Sequence, residues 1–311
     1  MPAGEARHLL SLADLRADDI TALVGRSVQH ASARPEATLR DKVVGVYFRR
    51  TSTRTRTAFS VAAARLGAQV VAYGPDDLQE NTGETFADTG RVLSSMLDAL
   101  VARTADDPGE LRDICGQRRM AVVNAMTSDE HPTQAIADLS TLHQVLGRID
   151  HVRVLYLGEG NNTASALALA LASFPGNELH LLTPRGYGVL PDKLRAAEHR
   201  AARHGALVRQ SHDPFDLPAT VDVVYTTRWQ TTGTVKDDSH WRDTFRPFGV
   251  DAALMRRFPG ALFLHDLPAH RGEEVTADVL DGPASKAFLQ AEHKLYSAMA
   301  VLEWCLGEAG R

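Results

Sequence analysis

The chain has 311 residues, which is enough for about two domains that each bury their own core. Hydrophobic residues make up 44%, charged residues make up 23%, and the net charge is −5, a balance that excludes a disordered or strongly basic chain. We therefore expect no nucleic-acid partner. No basic N-terminal region precedes an apolar run, and no apolar run approaches about 18 residues, so we expect neither export nor a membrane partner.

The two cysteines, Cys115 and Cys305, indicate a reducing compartment. They are too few for a disulfide scaffold, and neither has the close His or Cys spacing of a zinc site. We therefore predict a cytoplasmic protein that holds no metal ion.

Strand and helix patterns alternate along most of the chain. A helix is predicted at 12–24, β-branched runs predict short buried strands after it, and helix-forming stretches separate them. The predicted strands lie within 41–50, 68–75, 98–103, 119–127, 151–160, 178–184, 206–211, 222–230 and 261–268, and further helices lie within 51–68, 86–97, 128–147 and 285–306. This order predicts an α/β fold with two doubly wound parallel sheets, linked by helices.

The segment Ser52-Thr53-Arg54-Thr55-Arg56 stands where a predicted strand ends and a helix begins. A helix N-terminus offers unpaired N–H groups and partial positive charge, and the hydroxyl and guanidinium groups add donors, so this pattern favours a phosphate site. The alternative is a Ser/Thr helix cap beside surface arginines, since arginine supplies most of the positive charge of this chain.

Two further motifs contain a histidine. His131-Pro132-Thr133-Gln134 opens the helix at 128–147, where an imidazole can donate to a carbonyl oxygen and an amide can hold an NH2 group. His265-Asp266-Leu267-Pro268 ends a strand, at the sheet edge where ligands of α/β proteins bind. Alternatively, the first motif is a helix entry and Asp266 is a turn residue.

A nicotinamide dehydrogenase is a rival hypothesis because Gly158-Glu159-Gly160 follows a predicted strand. Position 163 should then be the third glycine, but it is Thr163, and the next strand ends without an acidic partner for the ribose. We therefore reject this alternative.

Together these motifs resemble the ornithine and aspartate carbamoyltransferase family. Residues 52–56 resemble its carbamoyl-phosphate motif, 131–134 its second motif, and 265–268 the His-Cys-Leu-Pro of the ornithine branch. The resemblance is collinear over nearly the whole chain. It includes LQENTGETFADTGRVLSSMLDALVAR, LGEGNNTASAL, FRPFGVDAALM, PAHRGEEVT and the terminal AEHKLY.

The resemblance implies a carbamoyl-phosphate domain at 1–147 with 285–311, whose C-terminal helix returns to it, and an acceptor domain at 148–284. It also implies a homotrimer in which the loop at 76–83, with Gln79, reaches a neighbouring subunit's site. No organic cofactor or metal is implied.

The implied reaction is attack of an amine on the carbamoyl carbon. Thr55, Arg103 and His131 would stabilise the carbonyl oxygen, while Gln134 and the Leu267 carbonyl would orient the carbamoyl NH2. The residues that match contacts to carbamoyl phosphate are Ser52, Thr53, Arg54, Thr55, Gln79, Arg103, His131, Gln134, Leu267 and Lys294. Those given catalytic roles are Arg54, Thr55, Arg103, His131 and Asp266.

The acceptor side departs from the ornithine pattern of an Asp two residues before a Trp, followed by Ser-Met-Gly. Here that Asp is Thr227, and the Cys of the later motif is Asp266. We interpret the two changes as linked, because a cationic amine needs one carboxylate that either strand can supply.

Thr226-Thr227-Arg228-Trp229-Gln230 also resembles the Thr-Arg-x-Gln of aspartate enzymes. Arg228 and Gln230 would then bind an acceptor carboxylate, with Asn162 as a polar neighbour. The alternative is that Arg228 is a surface arginine. The predicted acceptor residues are Asn162, Thr227, Arg228, Gln230 and Asp266.

An amine near Asp266 and a carboxylate near Arg228 favour a short diamino acid such as 2,3-diaminopropionate as the acceptor. The alternatives are ornithine or aspartate carbamoyl transfer in primary metabolism, and an inactive relative that only binds carbamoyl phosphate. Aspartate is disfavoured because Asp266 would repel its second carboxylate.

Overall fold

The structure, a computed structural model, describes residues 6–231 and 234–307, except for the side chains of residues 80 and 81. The described residues before 141 and after 292 form one compact unit, and residues 141–292 form a second. The predicted boundaries were 147/148 and 284/285. In the described part of the chain, no helix is both long enough and apolar enough to cross a bilayer.

The first unit contains a four-stranded parallel sheet in the order β2-β1-β3-β4. Its strands are β1 (Val43–Phe48), β2 (Gln69–Tyr73), β3 (Ala99–Arg103) and β4 (Ala121–Met126), and its helices are α1 (Ala17–Ser32), α2 (Arg54–Arg65), α3 (Phe86–Leu93) and α4 (Pro108–Ile114). Strand β3 is buried along its whole length, as expected for a central strand of a parallel sheet, and the edge strand β4 is buried along its whole length as well.

The second unit contains a five-stranded parallel sheet in the order β7-β6-β5-β8-β9. Its strands are β5 (Arg153–Leu157), β6 (Glu178–Leu182), β7 (Leu207–Ser211), β8 (Val223–Thr226) and β9 (Leu262–His265). Its helices are α6 (Asn162–Leu171), α7 (Pro191–His204), α8 (Trp241–Phe245), α9 (Ala252–Arg257) and α10 (Ala277–Leu280). The strand order reverses at β5, which makes the carboxyl ends of β5 and β8 a topological switch point.

Helices α5 (Pro132–Leu146) and α11 (Ala287–Leu306) each cross the boundary between the units. The α/β fold class, with two parallel sheets linked by helices, is therefore confirmed. The helix predicted at 12–24 is wrong in its bounds. A 3-10 turn at Leu12–Asp14 precedes α1, since the side chain of Ser11 caps Ala13 N–H and starts a separate short element.

Glu303 of α11 ties that helix to α1 within the first unit. Its carboxylate accepts hydrogen bonds from Arg26 Nε (2.6 Å), Thr38 Oγ1 (2.7 Å) and His30 Nε2 (2.9 Å). Burial acts to raise the pKa of Glu303, but the bonds from His30, Arg26 and Thr38 outweigh burial and lower the pKa to about 2. The lowered pKa stabilises the fold above the ordinary value of 4.5, and this contribution is lost as the pH falls from there towards 2.

We predict that Glu303→Gln lowers the free energy of unfolding at pH 7 by about 1.5–3 kcal/mol, because hydrogen bonds to a charged group are lost. Urea unfolding should show that the deficit shrinks as the pH falls below 4.5, the ordinary pKa of the group. Asp281→Asn, in an exposed ion pair with Arg271, is the control and should change little. A deficit independent of pH would contradict the charge assignment.

Candidate active site

The predicted phosphate motif surrounds the first turn of α2. Thr53 is the N-cap residue, but within the described structure its side chain makes no capping hydrogen bond. The geometry therefore does not favour the alternative in which this segment serves only as a Ser/Thr helix cap. Thr55 is buried, Ser52 and Arg54 are half-buried, and Thr53 is exposed. The helix start is thus open to an anion while one hydroxyl lies inside the protein.

Arg103 ends β3, next to β1 in the sheet, and points towards the same motif. Its guanidinium is buried, and Nη1 donates to Ser52 Oγ at 3.4 Å. Adjacent parallel strands end at one sheet edge, which explains how residues so distant in sequence meet. The structure therefore brings Ser52 and Arg103 together, as the resemblance implied.

Thr55, His131, Gln134 and Lys294 line one pocket, together with Phe59 and Thr133. Helix α5 begins at Pro132, so the motif occupies its first turn, and α11 supplies Lys294. Lys294 Nζ donates to Gln134 Oε1, and Gln134 Nε2 donates to Asp138 Oδ1 at 2.7 Å. The Gln134 amide is thereby held in one orientation, with its oxygen towards Lys294.

Buried positive charge surrounds His131. Burial lowers the pKa of His131 well below 6.5, and the positive charges of Lys294 and Arg103 lower it further. Its Nδ1 lies 3.3 Å from Thr133 Oγ1. A neutral imidazole can donate one hydrogen bond without adding a charge, as the predicted role at a carbonyl oxygen requires.

The acceptor-side residues gather at the carboxyl ends of β8 and β9, within the second unit. Asp266 Oδ1 accepts from Thr227 Oγ1 at 3.0 Å, and Asp266 Oδ2 accepts from Thr163 Oγ1 at 2.9 Å. The side chain of Asp266 remains 16% exposed, so its carboxylate is accessible to a ligand. The two departures from the ornithine pattern, Thr227 and Asp266, are thus direct neighbours.

The Asn-Asn pair after β5 supplies further polar groups. Asn162 is buried at the start of α6, and its role as a polar neighbour of an acceptor carboxylate stays a prediction. Asn161, which the sequence prediction omitted, is the N-cap of α6, and its Nδ2 donates to Thr231 Oγ1 at 3.1 Å and Thr227 Oγ1 at 3.4 Å. The N-cap preference of Asn at a strand-to-helix junction was the sequence signal that could have identified it.

Arg228 and Gln230 lie in the loop after β8, and each donates a side-chain hydrogen bond within that loop. Arg228 Nε donates to the Gln230 carbonyl at 2.5 Å, and Gln230 Nε2 donates to the Thr234 carbonyl at 2.8 Å. Their role in binding a carboxylate stays a prediction. The Thr232-Gly233 part of the motif lies outside the described residues.

Gln79 and Leu267 are two predicted carbamoyl-phosphate contacts that lie in loops, Gln79 in the first unit and Leu267 in the second. Gln79 is exposed in a 3-10 turn at Gln79–Thr82, and Leu267 is half-buried after β9 with a φ of 53°. Leu267 N–H donates to His265 Nδ1 at 2.8 Å, so the proton of that imidazole is on Nε2, facing Glu274 Oε1 at 3.2 Å. The roles given to Gln79 and to the Leu267 carbonyl stay predictions.

Among the described residues, His270, Glu273 and Glu274 form one group with the chemistry to hold a metal, with ligand atoms within 4.8 Å of one another. None of them is a predicted site residue. Glu274 Oε1 accepts the His270 backbone N–H at 2.5 Å as well as the bond from His265, so this carboxylate already fixes the loop after β9.

The fold and the ordered motifs define a carbamoyltransferase, and comparison with known proteins supports this class. A family model described as Aspartate/ornithine carbamoyltransferase, carbamoyl-P binding domain, matches residues 7–144, and its Asp/Orn binding domain partner matches 150–305. The chain therefore belongs to the aspartate/ornithine carbamoyltransferase family.

Full-length relatives and solved structures agree with this assignment. An ornithine carbamoyltransferase of Bacillus subtilis is 35% identical, over 98% of this chain and 96% of the relative. An anabolic ornithine carbamoyltransferase of Pyrococcus furiosus is 37% identical, over 97% and 96% of the two chains. The solved ornithine carbamoyltransferase from Pyrococcus furiosus superposes with a TM-score of 0.91 at 36% identity, covering 98% and 99% of the chains.

We predict that the imidazole of His131 stays neutral as the pH falls through 6.5, the ordinary histidine pKa. Lys294→Met should raise the pKa of His131 towards that value, because one of the positive charges that lowers it is removed. NMR titration of the imidazole C–H signals measures both proteins. Lys286→Met is the matched control and should leave the titration unchanged. Titration of His131 near 6.5 in the unmodified chain would refute the assignment.

Proposed function

We propose that this chain transfers the carbamoyl group of carbamoyl phosphate to an amine nitrogen of an amino acid. A C–N bond forms as the nitrogen lone pair attacks the carbamoyl carbon, and the tetrahedral intermediate collapses as the C–O bond to phosphate breaks. The phosphate oxygen takes the electron pair, and the proton lost from nitrogen goes to phosphate or water. This balance requires no redox step.

The pocket lined by Thr55, His131, Gln134 and Lys294 carries this proposal. Lys294 and Arg103 supply positive charge for a phosphate and for the oxygen that becomes negative in the intermediate. Neutral His131 supplies a donor to that oxygen. Gln134, fixed by Lys294 and Asp138, is oriented before substrate binds.

We assign phosphate contacts to the start of α2. Backbone N–H groups there, the hydroxyls of Ser52, Thr53 and Thr55, and the Arg54 guanidinium provide donors of the kind that a phosphate dianion accepts. We also propose a cytoplasmic homotrimer in which Gln79 of one chain contacts the phosphate bound by its neighbour. The exposure of Gln79 and the family resemblance support this role, and sedimentation equilibrium tests the trimer.

Ornithine is the first candidate for the acceptor. The full-length relatives and structures compared above are named ornithine carbamoyltransferases, which favours ornithine over the short diamino acid expected from the sequence. In this proposal Asp266 contacts the cationic group of the acceptor, in place of the carboxylate that Thr227 lacks.

A short diamino acid is the second candidate, and the Thr227–Asp266 hydrogen bond of 3.0 Å favours it. The carboxylate of Asp266 lies one hydrogen bond away from the side chain that replaces the Asp of the ornithine pattern. Asp266 follows β9, whereas the Asp of the ornithine pattern would follow the neighbouring strand β8. Because the carboxylate then lies at a different place, an acceptor of different length would bring its ammonium group to it.

We predict that Arg54→Ala raises the dissociation constant of carbamoyl phosphate about 10-fold to 100-fold, because a charge-assisted hydrogen bond worth about 1.5–3 kcal/mol is lost. Isothermal titration measures the constant. Arg56→Ala, two residues further along α2 and exposed, is the matched control and should bind as the unmodified chain does. Unchanged binding by the Arg54 variant would remove this residue from the phosphate site.

We predict phosphate release with ornithine, 2,4-diaminobutyrate or 2,3-diaminopropionate as acceptor, and none with amino acids that lack a side-chain amine. The double variant Thr227→Asp with Asp266→Cys should increase the ornithine to diaminopropionate ratio of kcat/KM at least about 10-fold, the effect of about 1.4 kcal/mol. Initial rates of phosphate release across this panel measure both results. Tight carbamoyl-phosphate binding without turnover of any amine would support the inactive relative instead.

A further inference from the structure

Lys236 lies in the loop after β8, but its side chain is only 4% exposed. Its ammonium forms an ion pair with Glu159, whose side chain is 13% exposed. The same nitrogen lies 4.6 Å from the ring centre of Tyr187, 5.1 Å from that of Phe245 and 5.5 Å from that of Trp241. A lysine this enclosed is uncommon in a surface loop, because burial of an ammonium is costly without compensating partners.

The three rings form an aromatic cage around Lys236 and pack against one another. The ring centres of Tyr187 and Phe245 are 4.8 Å apart, and those of Trp241 and Phe245 are 5.6 Å apart and perpendicular. Gly160 permits this packing, because a Cβ there would lie 2.1 Å from Val189 N, next to the Tyr187 segment. The cage therefore has a defined shape, and it attracts a cation through the faces of its rings.

Glu159 connects the cage to the acceptor loop. Its Oε1 accepts from Lys236, and its Oε2 accepts both the Thr231 N–H at 3.0 Å and the Thr231 hydroxyl at 2.6 Å. The backbone and side chain of Thr231 are thereby held by one carboxylate, whose own position depends on Lys236.

The hydrogen bonds continue from Thr231 to Asp266 without a break. The Thr231 hydroxyl gives its proton to Glu159, so it can only accept from Asn161 Nδ2 at 3.1 Å. Likewise the Thr227 hydroxyl accepts from Asn161 Nδ2 at 3.4 Å and donates to Asp266 at 3.0 Å. Each donor and acceptor in this relay has one consistent assignment, which fixes the orientation of every member.

We propose that Lys236 is a positioning residue of the acceptor site, which holds Glu159 and, through the Thr231–Asn161–Thr227 relay, sets the position of the Asp266 carboxylate. In the described part of the chain, Lys236 pairs with Glu159 and lies against the three rings of the cage, and none of these four residues is assigned to contact substrate. It acts by fixing the loop that supplies Thr227 and Thr231. This inference rests on the proposed function, since it concerns the amine acceptor of that reaction.

The kinetic test compares Lys236→Met with the unmodified chain. Methionine fills the cage but leaves Glu159 without its cation, so the relay loses its anchor. We expect the acceptor KM to rise about 10-fold or more, with the dissociation constant of carbamoyl phosphate unchanged, because every residue assigned to that ligand except Leu267 lies in the first unit. Lys236→Arg keeps the positive charge and should restore much of the acceptor KM.

Two controls separate positioning from a general loss of charge. Lys42→Met breaks an ion pair with Asp98 that is partly exposed in the first unit, and it should leave both constants unchanged. Glu159→Gln should raise the acceptor KM, and adding Lys236→Met to it should have little further effect, because the lysine acts through Glu159. Full additivity of the two changes, or an unchanged acceptor KM in Lys236→Met, would overturn the proposal.

Hydrogen exchange tests the same inference without turnover. The Thr231 N–H donates to Glu159, so its exchange should accelerate in Lys236→Met and return towards the original rate in Lys236→Arg. Unchanged exchange in the methionine variant contradicts the relay. If the unmodified chain transfers carbamoyl groups to no amine, the proposed function fails, and the exchange rates still decide whether Lys236 holds the loop.

Discussion

Parallel strands deliver the loops that follow them to a single edge of a sheet, and the candidate site depends on this constraint. In the first unit, β1 leads to the phosphate motif and β3 ends at Arg103, so the side chains of Ser52 and Arg103 meet although 51 positions separate them in sequence. In the second unit, β5, β8 and β9 lead to Asn161, Thr227 and Asp266. The strand order of each sheet therefore places the polar side chains of the candidate site at the same sheet edge.

The two units carry opposite charge at their candidate sites. The first unit buries Arg103 and Lys294 beside His131, and the histidine responds by remaining neutral, with a pKa well below its ordinary value. A pocket of this kind attracts a phosphate dianion, because the anion supplies negative charge where the protein has concentrated positive charge. The candidate site of the second unit presents negative charge. Its half-buried carboxylate, Asp266, is held by two neutral hydroxyl donors, so no positive charge in these two contacts neutralises it, as the proposed role towards a cationic acceptor requires.

The sequence alone predicted the fold class, because strand and helix patterns alternate regularly and each phosphate or histidine motif stands at a strand or helix end. It also identified Thr227 and Asp266 as a linked pair, because the ornithine pattern has a carboxylate at the first position and none at the second, and this chain has the reverse. It did not identify Lys236 or Glu159 as partners. Residues 77 positions apart in sequence meet through loop geometry, and a lysine in a polar loop carries no local sign that aromatic rings enclose it. Similarly, the sequence gives no sign of the hydrogen bonds that Arg228 and Gln230 each donate within their own loop.

Similarity to known proteins and the local chemistry of the acceptor site inform different parts of the reaction. Identity of 35% and 37% over nearly the whole chain assigns the chain to its family. Choice of acceptor depends on a few atoms, because moving one carboxylate relocates the point at which an ammonium is bound. In the acceptor site proposed here, Asp266 after β9 takes the place of the carboxylate expected at Thr227 after β8, and Thr227 joins Asp266 to Asn161 through hydrogen bonds. Under this proposal the bound ammonium would lie at a different distance from the rest of the acceptor, while the residues of the phosphate pocket would stay the same. Family membership therefore specifies the transferred group, and in our proposal the relay around Asp266 determines which amine receives it.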